Sequence, residues 1–245
     1  MIIPFKTKEV FDISDNIEVK IHETADNLRY VTVDNFYKNY DKLYDILTNH
    51  PVPNYKGTHL QNSRNFVDYY DCRPHIPFEY DSDDPNIDMS LSKAIVCIAN
   101  IANDIWQDRT PKGKVLDSEN NQILFNYFKH IKLPEHKNMQ MAPHIDTPVG
   151  GVIFLDKVSS GGTALYKLRK EKKKPDSKKG DENLFRDITE YDKIIIPAKP
   201  NRLVLFPAVV MHGGYISDHS KYLNEWRINQ VIFLNEKDDK NDENK

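Results

Sequence analysis

Cysteine is nearly absent from this chain. Two residues in 245, Cys72 and Cys97, exclude a disulfide framework, and neither has the neighbours of a thiolate metal site. Long apolar runs are missing as well; no stretch approaches the roughly 18 residues of a membrane span. The opening MIIPFKTKEVFD meets charge too early for a secretory leader. Nor does one sign of charge dominate: 34 Lys and Arg against 37 Asp and Glu leave −3, which excludes a chain-wide field recruiting nucleic acid. Glycine is scarce, at nine residues. The expectation from these absences is an intracellular (cytoplasmic) globular protein with no membrane partner.

What is present suits one core. Hydrophobic residues make up 39% of the chain, and its length exceeds the usual single domain without demanding two. A single domain over 1–235 is expected, with helical support in 1–120 and a β-rich core in 121–235. The wholly polar tail 236–245 cannot offset its ordering entropy and is expected to be disordered. A strand is expected at 29–33. A helix capped by Asp34 or Asn35 follows, with Phe36, Tyr40, Leu43, Tyr44 and Leu47 on one face, stopping before Pro51. Residues 51–88 read as a long irregular connection. A second helix over about 90–107 carries the stripe Leu91, Ile95, Ile98, Ala102 and Ile105.

From Asn121 the texture changes to short β-rich runs divided by Pro, Gly, Asn and Asp: QILFNYF, VIFLD, TALYK, KIIIPA, RLVLFP and RINQVIFL. Two further runs surround His144 and residues 209–215. The fold class expected is mainly β with helical support (α+β). Its architecture is a double-stranded β-helix, or jelly roll, with the N-terminal helices packed on one sheet. The Lys-rich stretch 167–182 lies between two of these strands and is expected to be a disordered insertion. Its segment 167–180 is a candidate contact for an acidic partner.

The chemistry concentrates in Pro143-His144-Ile145-Asp146-Thr147-Pro148. On extended backbone His144 and Asp146 project to one side, so an imidazole and a carboxylate can share one metal ion. A third ligand must come from elsewhere, and His212 in FPAVVMHGG is the best candidate. Two histidines and a carboxylate on one face of an octahedral ion leave three open positions, the arrangement of non-haem Fe(II) oxygenases. Arg227 follows in EWRINQVIFL, sharing a strand face with Asn229. An arginine buried in a strand needs an anion, and the candidates are an internal acid such as Glu225 or a bound carboxylate.

This ordered set resembles the iron(II)- and 2-oxoglutarate-dependent oxygenase superfamily, its prolyl-hydroxylase-like branch above all. HxD, a distal His and a strand Arg stand with GGVIFLD, SSGGTALY and NRLVLFPAVVMHGG between them, over about 121–234. The resemblance implies Fe(II) held by His144, Asp146 and His212, with O₂ and 2-oxoglutarate as cosubstrates and Arg227 on the distal carboxylate. It implies hydroxylation, or demethylation by hydroxylation, with release of succinate and CO₂. The substrate could be an amino acid, a peptidyl side chain or a nucleobase. Asp146 matches hydroxylating rather than halogenating members.

The chain departs from the family in places. Asn229 stands where many relatives have Ser or Thr, and Phe154 where some have a cosubstrate-binding Tyr. Tyr127 or Asn126 on the preceding strand is the candidate replacement, and strand parity alone leaves both open. The His212–Arg227 spacing implies a looped excursion through 217–224. His219 is a candidate for the pocket mouth, and Arg64 and Arg73 are candidate anion contacts. Two other readings keep the fold: a binding module with a vestigial metal site, and a cupin-like metalloenzyme that does not use 2-oxoglutarate.

Overall fold

The computed structural model describes residues 10–49, 59–60, 67–72, 86–106, 116–146, 148–168, 185–223 and 225–236. Their order is β1 (Glu18–Glu23), β2 (Arg29–Asp34), α1 (Tyr40–Asn49), β3 (His59–Leu60), β4 (Val67–Cys72), α2 (Asn86–Trp106) and β5 (Leu116–His130). Then come β6 (Met139–Met141), β7 (Val149–Phe154), β8 (Gly162–Leu168), β9 (Phe185–Asp187), β10 (Tyr191–Pro197), β11 (Arg202–Pro207), β12 (His212–Tyr215), a 3₁₀ turn (His219–Tyr222) and β13 (Arg227–Glu236). No described helix is long and apolar enough to cross a membrane.

The architecture is mainly β, in antiparallel sheets. Eight strands form one sheet in the order β1-β2-β11-β7-β13-β5-β4-β3, β10-β8-β12 form a second, and β6 pairs with β9. No sheet closes on itself. The central strands β7 and β11 are largely apolar on both faces because both faces are covered, whereas β13 also buries Arg227, Asn229 and Gln230. Ile153, Leu203, Leu205, Ile228 and Ile232 point one way, onto Leu43 and Leu47 of α1 and Ala94, Ile98 and Ala102 of α2. Phe154, Val204 and Phe206 point the other way and share a buried cluster with Leu165 of β8 and Ile196 of β10. The helices therefore sit on the outer face of the large sheet, as expected, and the three-stranded sheet faces its inner side.

Several expected boundaries move. The helix after β2 starts at Tyr40, not at Asp34 or Asn35. Asn35 takes a left-handed φ of 57°, and Asn201 clamps the next residues: Tyr37 N–H donates to Asn201 Oδ1 at 2.8 Å, and Asn201 Nδ2 donates to Tyr37 O at 2.8 Å. Long-range hydrogen bonds override the local periodicity there. Strand β1 is absent from the expectations because its row EVKIHE is charged and mostly exposed, as suits a sheet edge. Strand β4, VDYYDC, interrupts the connection expected to be irregular and pairs with β5, which begins at Leu116. Lys167 and Leu168 belong to β8, and Glu236 ends β13. The rest of the Lys-rich insertion, the tail from 237, Arg64 and Arg73 lie outside the described residues.

Asp34 closes β2 and shows how this fold satisfies a buried charge. Arg202 grips it twice, Nε to Oδ1 at 2.6 Å and Nη2 to Oδ2 at 3.0 Å, and Lys199 Nζ adds a bond of 3.0 Å. The Arg202 hydrogen bonds outweigh burial and lower the carboxyl to about 2. A depressed carboxyl contributes stability above its ordinary value and loses it as pH falls through the depressed one. Asp34→Asn should therefore lower unfolding free energy by about 2 kcal/mol at neutral pH. In denaturant melts, the gap between wild type and variant should shrink from about pH 4 down to about pH 2. A gap independent of pH would mean that packing, not charge, carries the effect.

Candidate metal centre

Main-chain hydrogen bonds bring the sequence-predicted ligands together. His144, between β6 and β7, and His212, opening β12, exchange backbone bonds: His144 N–H to His212 O at 2.9 Å and His212 N–H to His144 O at 2.8 Å. Asp146 N–H donates to Ala208 O at 2.9 Å, which places its carboxylate beside both rings. His144 thus forms an isolated bridge in place of the expected strand run.

The rings are oriented by a second pair of contacts. His144 Nδ1 lies 2.9 Å from Ala142 O, and His212 Nδ1 lies 2.9 Å from Val210 O. A carbonyl only accepts, so each Nδ1 carries a proton and each Nε2 is the atom turned to the site. Tying back the far nitrogen is how metal-binding histidines are fixed. His144 Nε2 and His212 Nε2 stand 3.4 and 3.3 Å from the same oxygen, Asp146 Oδ2. One ligand atom from each residue falls within 4.8 Å of the others. Ligands at right angles on bonds of about 2.1 Å stand about 3 Å apart, so the set fits one small divalent ion.

Electrostatics suit a cation. Hydrogen bonds to His144 and His212 hold the Asp146 carboxyl well below the usual carboxylate range, against the opposing effect of burial. Burial alone would depress His144, but the bonds to Asp146 and Ala142 and the Asp146 charge outweigh it and raise its pKa. His212 is 7% exposed and His144 47%, so the site opens to solvent on the HxD side. The Phe206 ring packs 4.8 Å from that of His212.

Behind the triad lies a cavity of about 140 Å³. Arg227 reaches it from the start of β13 and is 2% exposed. Its Nη2 donates to Gly162 O at 2.9 Å, Nη1 has only the Met141 sulfur at 3.8 Å, and its Cζ stands 6.0 Å from the Phe154 ring centroid. No carboxylate among the described residues lies within 4 Å of it; Glu225, the internal acid the sequence offered, is exposed. Gly214 makes room for the guanidinium, and Gly162 accepts its bond. A Cβ on Gly214 would stand 2.8 Å from Arg227 Nη1 and 2.5 Å from Met141 Sδ, and Gly162 holds the accepting carbonyl at a φ of +157°.

The strand register separates the remaining candidates. Asn229 pairs across with Asn126 on one side and Phe154 on the other, and all three occupy the inner face. Asn126 and Asn229 line the cavity, and Asn229 is buried with Oδ1 lacking any partner. Tyr127 faces the other way, into the core under the helices, with Trp226 edge-on at 6.2 Å. His219 is not at the mouth: it is buried against His130, with 2.8 Å between ring nitrogens, and beside Gln140. The excursion expected at 217–224 contains the 3₁₀ turn.

One residue escaped the sequence reading. Asp156 follows β7 and, by the register that pairs Asn229 with Phe154, stands opposite Arg227. The signal was available: an acid ends the apolar run VIFLD at the same parity as Phe154.

Titration with Co(II) should give one high-affinity site in the wild-type protein. Asp146→Ala and His212→Ala should each weaken it on the order of 100-fold or more, with folding checked by circular dichroism. Stoichiometric Co(II) in His212→Ala would remove that residue from the ligand set.

No family model matches the chain, and no curated protein matches it. Solved structures do. A putative oxygenase from Shewanella oneidensis is similar over 88% of both chains, with a TM-score of 0.55 at 12% identity. The non-haem α-ketoglutarate-dependent epimerase SnoN from nogalamycin biosynthesis covers 84% of this chain and 78% of its own, at TM-score 0.46 and 14% identity. A Pseudomonas putida prolyl-4-hydroxylase covers 85% and 93%, at 0.43 and 9%. The likeness to the Shewanella protein is one of fold.

Proposed function

We propose that this protein is an iron(II)- and 2-oxoglutarate-dependent oxygenase, of the prolyl-hydroxylase-like branch. Its two facing sheets read as the double-stranded β-helix of that superfamily, in one catalytic domain. The observation that carries the proposal is the pairing, in one cavity, of a three-residue candidate ligand set with a buried arginine that has no carboxylate within 4 Å among the described residues. A metal site alone fits many chemistries; a desolvated guanidinium beside it calls for an anion. A dicarboxylate held at both ends satisfies both features.

Each side chain then has a role. His144, Asp146 and His212 would hold Fe(II), and a three-residue set would leave room at the ion for the cosubstrate and O₂. Arg227 takes the distal carboxylate, with Nη1 as the uncommitted donor arm. Asn229, two residues along the same face, offers its amide to the same ligand, and Asn126 lines the space opposite. Leu124, Val231 and Phe206 keep that space dry, which strengthens every polar contact inside it. Bound iron, 2-oxoglutarate and O₂ supply the oxidation of an unactivated C–H bond, coupled to loss of CO₂ and formation of succinate. The outcome is hydroxylation, or demethylation by hydroxylation, of an amino-acid, peptidyl or nucleobase substrate.

Anaerobic addition of Fe(II) and then 2-oxoglutarate should produce a visible charge-transfer band that fades on admitting O₂ as succinate forms. Bound iron without that band would point to a different cosubstrate. Arg227→Ala should weaken 2-oxoglutarate binding on the order of 100-fold while sparing the metal. Unchanged affinity would assign the carboxylate to another residue.

A further inference from the structure

Asp156 has no part in metal or cosubstrate chemistry as described, yet it is 1% exposed and carries an incomplete set of partners. Its Oδ2 accepts from Ser159 N–H at 2.9 Å and from Tyr222 OH at 3.0 Å. Its Oδ1 is buried with no hydrogen-bond partner among the described residues. A buried carboxylate oxygen left bare is unfavourable unless a positive charge compensates it or a proton covers it. The register supplies the charge: Asn229 stands opposite Phe154 and Leu155 N–H donates to Ile228 O at 2.9 Å, so the next inward-facing pair is Asp156 with Arg227. The two groups stop short of an ion pair, since no Arg227 nitrogen comes within 4 Å of the carboxylate.

We propose that Asp156 is the built-in counter-charge of Arg227, balancing the guanidinium while no anion is bound and taking up a proton from solvent when a carboxylate ligand arrives. The inference rests on the reading of Arg227 as the carboxylate anchor. The proton goes to Oδ1, the atom that no donor covers. Burial pushes the Asp156 carboxyl up, and the Arg227 charge, the Ser159 N–H and the Tyr222 hydroxyl hold it down. An anion on Arg227 cancels the second influence, so the carboxyl rises further and binds a proton. By linkage, ligand affinity falls as pH rises through the ligand-free titration of Asp156, by up to about tenfold per pH unit.

Among the described residues, one cation and three tyrosines face Asp156. Arg227 faces Asp156 from β13, Tyr222 from the 3₁₀ turn, and Tyr40 and Tyr44 from α1, and burial lifts all three tyrosines above their ordinary value. Tyr222 also receives a bond from Ser160 N–H at 3.0 Å, so the dyad braces the turn leading to Gly162, whose carbonyl holds Arg227. Asp156 is thus a positioning residue as well as a charge.

Two measurements on the full-length protein decide the matter. The first needs no ligand: ¹³C-carboxyl titration of Asp156, assigned by its loss in Asp156→Asn, in wild type, Arg227→Gln and Arg227→Lys. The midpoint should rise in Arg227→Gln and stay near wild type in the charge-preserving Arg227→Lys. An unchanged midpoint in Arg227→Gln overturns the proposal. The second is calorimetric titration of the Mn(II)-loaded protein with 2-oxoglutarate in two buffers of different ionisation enthalpy. Wild type should take up a fraction of one proton, greater above the Asp156 midpoint, and Asp156→Asn should take up none. Equal uptake in both overturns the linkage. If wild type binds no 2-oxoglutarate while the first result holds, the cosubstrate reading and the ligand linkage fall, and the counter-charge pairing stands.

Discussion

The exchange of two backbone hydrogen bonds between His144 and His212 is the constraint on which the candidate site depends. It joins two segments from opposite parts of the β-core and sets their rings 4.5 Å apart. The bonds from Asp146 N–H to Ala208 O and from Ala208 N–H to Pro148 O extend the junction on both sides. All of these contacts are main-chain, so they survive almost any change in the neighbouring side chains. The three candidate ligands, Arg227 and the glycines that let walls approach are the positions tied to residue type. A fold shared with a solved oxygenase at 12% identity is physically reasonable on those terms.

Glycine scarcity takes on meaning in this frame. Nine glycines occur in the chain, and six of them come as the doublets 150–151, 161–162 and 213–214. Four of the six line the cavity, and Gly162 carries the carbonyl that holds Arg227. Elsewhere the described strands tolerate or need side chains. Around the cavity, neighbouring side chains, backbone and the guanidinium press against these glycines, and the absence of a Cβ is the permissive condition.

The legible parts of the sequence were those governed by local rules. HxD spacing placed His144 and Asp146 together because alternation on extended backbone is a local property. The apolar runs of β7 and β11 stood out because burial on both faces leaves few polar positions to confuse them. What was not legible depended on distant partners. The α1 start was displaced by Asn201, far along the chain. Tyr127 and Asn126 differ only in which face of β5 they occupy, and that face is set by pairing with β13. Strand β4 needed β5 to exist at all, since VDYYDC has little apolar alternation of its own. Asp156 was overlooked because an acid at the end of a strand ordinarily faces solvent, and only the register turns it inward.

The two buried acids among the described residues show how a charge can serve structure or chemistry. Asp34 has every oxygen committed to Arg202 or Lys199, and a set so fully satisfied can only hold β2 against the β10–β11 turn. Arg227 and Asp156 are the opposite case, a cation and an acid facing each other across two strands, each with an uncommitted arm. Folding alone gains nothing from leaving them short of contact, since closing the pair would satisfy both. The incomplete pairing leaves the guanidinium at the cavity with Nη2 held by Gly162 O and Nη1 without an oxygen acceptor among the described residues. A full ion pair would have to be broken before any anion bound, and a lone arginine would carry an uncompensated charge in the core. On the proposed reading of Arg227 as a carboxylate anchor, the partial pair avoids both penalties, and the local shortfall in hydrogen bonding is the form that readiness for the ligand would take.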